Sequence, residues 1–184
     1  FQTKKSEKKW MSLMEKLNQN LFKFLAVLFL ILPNLANTED KFIYSYQVKV
    51  IDGDSIEIKK EKIRLFGIDA PEMKQICHDK NNKPYACGHL SKTYLEKYIK
   101  NRSGKKIFCY YSERDKYNRI IGDCYIGENS RWSINKSMVL SGHAVAYLRY
   151  SEKYLDAQET AKSNETGLWA GNFDMPEDWR KKNK

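Results

Sequence analysis

The sequence lacks any apolar run long enough to cross a bilayer. Its longest unbroken stretch, Phe24 to Leu32, is far short of the roughly 20 residues a spanning helix needs. With 30% charged residues, a membrane bundle is excluded. Internal repeats and a low-complexity linker are also missing, which excludes a repeat array and a string of tethered modules. What remains is a chain of 184 residues, enough for one domain with some left over for a leader or tail. Hydrophobic residues make up 41% and aromatics 13%, with 12 Tyr and 4 Trp, so the chain has the material for a packed core.

Charge is unevenly spread. The formal net charge is +10; six of the 33 basic and two of the 23 acidic side chains lie in the first 36 residues, leaving 27 against 21 beyond them. A basic domain attracts polyanions and speeds their arrival, so nucleic acid or an anionic surface is the class of partner to look for. The run Phe24–Leu32 follows basic residues, ends at Pro33 and is followed by the small residue Ala36. That is the layout of a signal peptide. Residues 1–36 are expected to be an N-terminal extension and leader cleaved after Ala36, or an uncleaved anchor, and residues 37–184 the domain. Met11 and Met14 would each leave a short basic segment before the run. An exported protein, periplasmic or secreted, follows as the expectation.

Beyond the leader the first half reads as strands. Phe42–Ile51 is rich in aromatic and β-branched residues. Ser55-Ile56-Glu57-Ile58 and Lys62-Ile63-Arg64-Leu65 alternate polar with apolar, and Lys106–Tyr111 and Arg119–Ile126 are two more candidates. Helical spacing appears at Leu90, Tyr94 and Tyr98, at Ile134, Met138 and Val139 ending near Gly142, and at Tyr154, Ala157 and Ala161 ending at Gly167 as C-cap. Five strands with about three helices suggest an α+β domain built on a small OB-type barrel.

The four cysteines are Cys77, Cys87, Cys109 and Cys124. In an exported chain an even count fits two disulfides, with three pairings possible. Cys109 and Cys124 sit in neighbouring strand candidates, and Cys77 and Cys87 bracket a short polar loop, which favours those two pairs. A zinc site made with His78 and His89 is the rival reading.

The richest stretch is Ile51-Asp52-Gly53-Asp54-Ser55 followed by Arg64-Leu65-Phe66-Gly67-Ile68-Asp69-Ala70-Pro71-Glu72. Taken singly, Asp52-Gly53 is a turn and Arg64 a solvated side chain. Together, Asp54 and Asp69 end apolar strand segments, where two carboxylates can share one hard cation. A guanidinium beside them suits a phosphate through paired hydrogen bonds, and Glu72 is placed to take a proton from water. The loop Glu113–Arg119 adds a second basic point, or is simply a solvated turn around Asp115 and Asn118.

These motifs, with Asp115-Lys116-Tyr117-Asn118-Arg119, Asn135, Met138-Val139, Gly142-His143-Ala144 and Gly167-Leu168-Trp169 in that order, resemble the staphylococcal nuclease (thermonuclease) family over residues 44–180. The cysteines and the closing Phe173 and Trp179-Arg180 look like an exported bacterial branch of it. The resemblance implies an OB barrel and a calcium-dependent nuclease acting on DNA and RNA with low sequence specificity, leaving 3′-phosphate ends. It assigns calcium to Asp54, Asp69 and the Ala70 carbonyl, the general base to Glu72, and phosphate binding to Arg64 and Arg119. Lys116, Tyr117 and Tyr147 resemble nucleotide contacts. Asn118 stands where Gly is frequent, and Asn is the side chain that best tolerates the positive φ this suggests. A preference for single strands, a monomer, and export follow as expectations. The alternative is an OB module that binds nucleic acid without cutting it.

Overall fold

The computed structural model describes residue 11 and residues 14–19, 41–102, 104–127 and 132–183. The chain divides into two compact units, Phe1–Thr38 and Glu39–Lys184. In the first, residues 14–19 are helical and exposed. The leader and its cleavage position lie outside the described residues. Among the described residues no helix is long and apolar enough to cross a membrane.

The second unit is α+β. Its strands are β1 (Lys41–Ser45), β2 (Lys49–Val50), β3 (Ser55–Ile58), β4 (Glu61–Leu65), β5 (Ile68–Asp69), β6 (Ile76–His78), β7 (Pro84–Ala86), β8 (Ile107–Tyr111), β9 (Ile120–Ile126), β10 (Trp132–Ser133) and β11 (Val145–Ala146). The helices are α1 (Cys87–Lys100), α2 (Ile134–Leu140), α3 (Leu155–Ser163) and α4 (Pro176–Lys182), with a 3₁₀ turn at Gly167–Ala170.

Six strands run in the order β1-β8-β9-β4-β3-β2, with β10 added to β9. The two ends of that order, β1 and β2, are separated by only Tyr46, Gln47 and Val48, so the sheet must curl back on itself. The sequence reads Phe42–Ile51 as one strand. The structure breaks it where the Gln47 amide donates to Ser45 Oγ at 2.9 Å, a local turn that competes with the ladder. Counting β1 and β2 as one bent strand recovers the five-stranded OB-type arrangement. The alternation seen in the sequence is what fills its interior: Ile56, Ile58, Ile63, Leu65, Ile120 and Ile126 are all essentially inaccessible, worth roughly 1.5–3 kcal/mol each on burial.

α1 covers one end of this core through Ser91, Leu95 and Tyr98, while Leu90 on the expected apolar face is largely exposed. α2 begins at Ser133, whose Oγ accepts from the Lys136 amide, and buries Ile134, Asn135, Met138 and Val139. α3 ends at Ser163; Gly167 opens the 3₁₀ turn with φ +60° instead of capping α3. The short hairpin β6–β7, the pair β5–β11 and α4 have no counterpart in the sequence reading. They are two- to seven-residue elements with too little periodicity to register.

All four cysteines are in disulfides, Cys77–Cys87 and Cys109–Cys124. Cys109 and Cys124 face one another in the β8–β9 register. Cys77 on β6 ties to the first residue of α1. Both favoured pairs are therefore present, and the zinc reading is overturned because every sulfur it needs is consumed.

Candidate active site

Asp54 closes the turn that enters β3. Gly53 beside it is wedged so tightly that an added Cβ would lie 2.1 Å from Ser91 Oγ and 2.7 Å from Ala70 Cβ. Only glycine lets this turn approach α1 and Ala70 so closely. Asp54 itself is buried, with its Oδ2 accepting from the Ala70 amide at 2.7 Å and its Oδ1 from Ser55 Oγ at 3.1 Å. Asp69, at the end of β5, is also buried and is pinned by the antiparallel register Val145↔Asp69.

Arg64 on β4 lies between the two acids. Its Nη1 pairs with Asp54 Oδ1, and its Nη2 reaches Asp69 Oδ1 at 2.7 Å. Burial pushes the Asp54 carboxyl up to about 7, aided by Asp52 and Asp69, and the attraction of Arg64 only partly offsets this. Burial also opposes the charge on Arg64, yet Asp54 and Asp69 raise its affinity for the proton above the ordinary value.

A second guanidinium enters from α4. Arg180 grips Asp69 with both arms, Nη2 to Oδ2 at 2.8 Å and Nη1 to Oδ1 at 3.0 Å, and its Nη1 also donates to Glu72 Oε1 at 2.9 Å. Burial disfavours its charge, but the bonds to Asp69 and Glu72 raise its pKa further. The Glu72 backbone is fixed as well. Its amide donates to Gln75 Oε1 at 3.2 Å and its carbonyl accepts from the Gln75 amide at 2.8 Å. Gly88 of α1 packs so close that a Cβ would sit 2.0 Å from that carbonyl. Gln75 is inaccessible and passes the connection on to the Asp174 carbonyl at 2.7 Å.

The residues expected to act together are thus only partly brought together. Asp54, Arg64, Asp69, Ala70 and Glu72 form one cluster. Arg119, at the foot of β9, is held instead by Asp115, with Nε and Nη2 each 2.7 Å from Oδ2. It lines a cleft with Asp52 and Ser55. Lys116 and Tyr117 stand on the same loop, Tyr117 68% exposed and the Lys116 ammonium 5.0 Å over its ring. Asn118 has φ +63°, the left-handed geometry expected of it. Tyr147 follows β11, its amide bonded to the Gly67 carbonyl at 2.9 Å, and packs edge-on against Tyr150. Burial, then Asp69 and Glu177, raise the pKa of its hydroxyl.

The donor set suits a hard cation. Asp54 and Asp69 offer carboxylate oxygens and Ala70 a backbone carbonyl, with no sulfur or imidazole among them. Among the described residues no group of three or more acidic, His or Cys side chains is gathered for a metal, so a cation here would rest on two carboxylates, the carbonyl and water.

The family model of staphylococcal nuclease homologues matches residues 62–171. The chain belongs to the staphylococcal nuclease family. Its curated relatives within and around that family include the succinoglycan biosynthesis protein ExoI of Rhizobium meliloti, 36% identical over 124 residues that cover 67% of this chain and 63% of that protein. An uncharacterized endonuclease of Haemophilus influenzae is 36% identical over 146 residues, covering 74% of this chain and 72% of its own length. A probable staphylococcal-like nuclease of Oryza sativa subsp. japonica is 32% identical over 139 residues, 74% of this chain but 33% of the relative. The chain thus spans less than two thirds of the first relative and a third of the rice protein. In this staphylococcal nuclease relative the sequence does not single out Arg180 or Gln75 as site residues. Trp179-Arg180 reads only as a branch marker, because the contact joins residues 111 positions apart. Gln75 carries no motif at all.

Proposed function

We propose that the chain is a nuclease that hydrolyses phosphodiester bonds of DNA and RNA with low sequence specificity, dependent on calcium. The observation that carries this reading is the single cluster in which Arg64 bridges two buried carboxylates while Glu72 is held beside Asp69. Membership of the staphylococcal nuclease family and relatives named endonucleases support it.

Asp54, Asp69 and the Ala70 carbonyl would hold the calcium ion. When bound, calcium supplies positive charge against the phosphoryl oxygens. Arg64, which bridges Asp54 and Asp69, would donate to the charge that builds on the equatorial phosphoryl oxygens. Arg119, steadied by Asp115, leaves Nη1 for a phosphate oxygen. Glu72 accepts the proton of an attacking water, which lies in line with the departing 5′ oxygen, so that 3′-phosphate ends result. Lys116, Tyr117 and Tyr147 contact the nucleotide, and stacking of unpaired bases favours single strands without strong sequence choice. The chain acts as a monomer. The two disulfides support an oxidising setting, periplasmic or secreted, for residues 37–184 freed from a leader, or tethered by it.

The test is cleavage of single-stranded DNA with calcium and with a chelator, beside a Glu72→Gln variant. Calcium-dependent cutting that the variant loses by orders of magnitude supports the assignment. Binding without cutting in calcium leaves a non-catalytic module.

A further inference from the structure

Outside the carboxylate cluster the most heavily built surface is a strip of aromatic rings and cations around the break between β1 and β2. Phe42, Tyr44 and Tyr46 are 55%, 40% and 64% exposed, a costly display of ring surface unless something covers it. The rings are ordered among themselves: Tyr44 lies 6.1 Å from Phe42 and 5.6 Å from Phe108. Cations sit over them, Lys59 at 4.8 Å from the Tyr44 centroid and Lys105 at 4.4 Å from Trp132.

Beside this strip runs a groove between the β1–β2 bend and the end of α1. Tyr46, Lys49, Lys100, Arg102 and Lys105 line it over a floor that includes Ile107 and Ile126, and Glu96 is the one acid among its described lining residues. Lys49 and Val50 also line the neighbouring cleft that holds Asp52, Ser55 and Arg119. The two depressions thus have Lys49 and Val50 in common, and the second of them holds Arg119.

We infer that the two depressions together are the track for an extended single-stranded polynucleotide, with phosphates on Lys49, Lys100 and Lys105 and bases stacked on Tyr46 and Trp132. Alternating cations and exposed rings match the alternating phosphates and bases of a flexible strand. A flat anionic surface would use the cations and leave the rings wet. The inference deepens the nuclease reading and rests on it for the direction of the track: the strand leaves the cleft of Arg119 past Lys49 and binds well beyond the bond that is cut. Substrates of several nucleotides gain contacts that a dinucleotide cannot reach, within the roughly 4–16 nucleotides an OB fold accommodates.

The test measures binding of a fluorescent 12-nucleotide single strand and of a trinucleotide by anisotropy, in chelator so that nothing is cut. The unmutated chain is compared with a Tyr46→Ala, Lys105→Ala double variant and with Lys80→Ala, a lysine of the β6–β7 loop that lines neither depression. We expect the advantage of the 12-mer over the trinucleotide to fall about tenfold in the double variant, and its salt slope to fall by about 0.7 for the lost phosphate contact. Lys80→Ala should keep the full advantage. An advantage unchanged in the double variant, or reduced equally by Lys80→Ala, overturns the track. A chain that cuts but shows no length advantage also overturns it and leaves the nuclease reading standing. One that shows the advantage and loses it in the double variant supports the track even if cutting is never seen.

Discussion

The carboxylate cluster and the loop Glu113–Arg119 both set an arginine against an aspartate, by opposite means. In the loop the partners are four residues apart and only partly buried, and Asp115 also caps the amides of Tyr117 and Arg119 at 2.9 Å. The loop builds itself from local hydrogen bonds, in the manner of an Asx turn. In the cluster, Asp54, Arg64, Asp69 and Arg180 come from four elements and two of the acids are buried. A buried carboxylate must be matched or it costs several kcal/mol. The cluster thus draws its order from the whole domain, and the loop draws it from its own backbone. Damage should spread in the first and stay confined in the second.

The sharpest way to test that contrast is Arg64→Ala. It should lower kcat by about 10²–10³ and also lower the thermal midpoint, since Asp54 and Asp69 lose a shared partner. Arg64→Lys should not restore kcat, because a point charge cannot bridge two carboxylates as a planar fork does. A midpoint that does not move would mean the acids are not coupled through Arg64.

Next in size is Arg180→Ala. Glu72 and Asp69 lose their tether from α4, so kcat should fall about tenfold with KM little changed, and Arg180→Lys should recover part of it. Equal loss in KM would assign Arg180 to substrate binding instead of positioning Glu72.

The loop offers the weaker effects. Burial opposes it, but hydrogen bonds from the Arg119 and Tyr117 amides and the Arg119 side chain lower the Asp115 pKa. A carboxylate whose native pKa is depressed stabilises at pH values above the unfolded value of about 3.9, and that contribution is lost as pH falls through the lower native value. The Tyr117 and Arg119 amide resonances should therefore titrate with a midpoint below the ordinary carboxylate value of about 3.9. Movement centred at 4 or above would show that the amides do not hold Asp115. Smallest of all, Asn118→Gly should alter cleavage less than about twofold, since glycine accepts φ +63° freely; Asn118→Val, strained there by roughly 1–2 kcal/mol, should do more.

The same division decides what the sequence makes legible. Alternation in Ser55–Ile58 and in the strand ending at Leu65 shows β3 and β4 to within a residue, because each faces one side of a core. Asp54, Arg64, Asp69 and Glu72 stand close along the chain and carry a specific pattern. Arg180 does not: α4 is seven residues long, and its link to Asp69 exists only after folding. Gln75 looks like any loop glutamine, although it is inaccessible and holds Glu72 in place. The break between β1 and β2 depends on Ser45 turning back on Gln47, a contact that β-propensity does not weigh.

The span between Asp69 and Arg180 has a consequence for how the protein is made. The chain emerges from its N-terminus, and the 111 positions separating these partners take roughly 5–20 s to synthesise. Throughout that interval Asp54, Arg64 and Asp69 exist without the arm that steadies Glu72. The cluster is thus complete only once residue 180 has been added and α4 has docked.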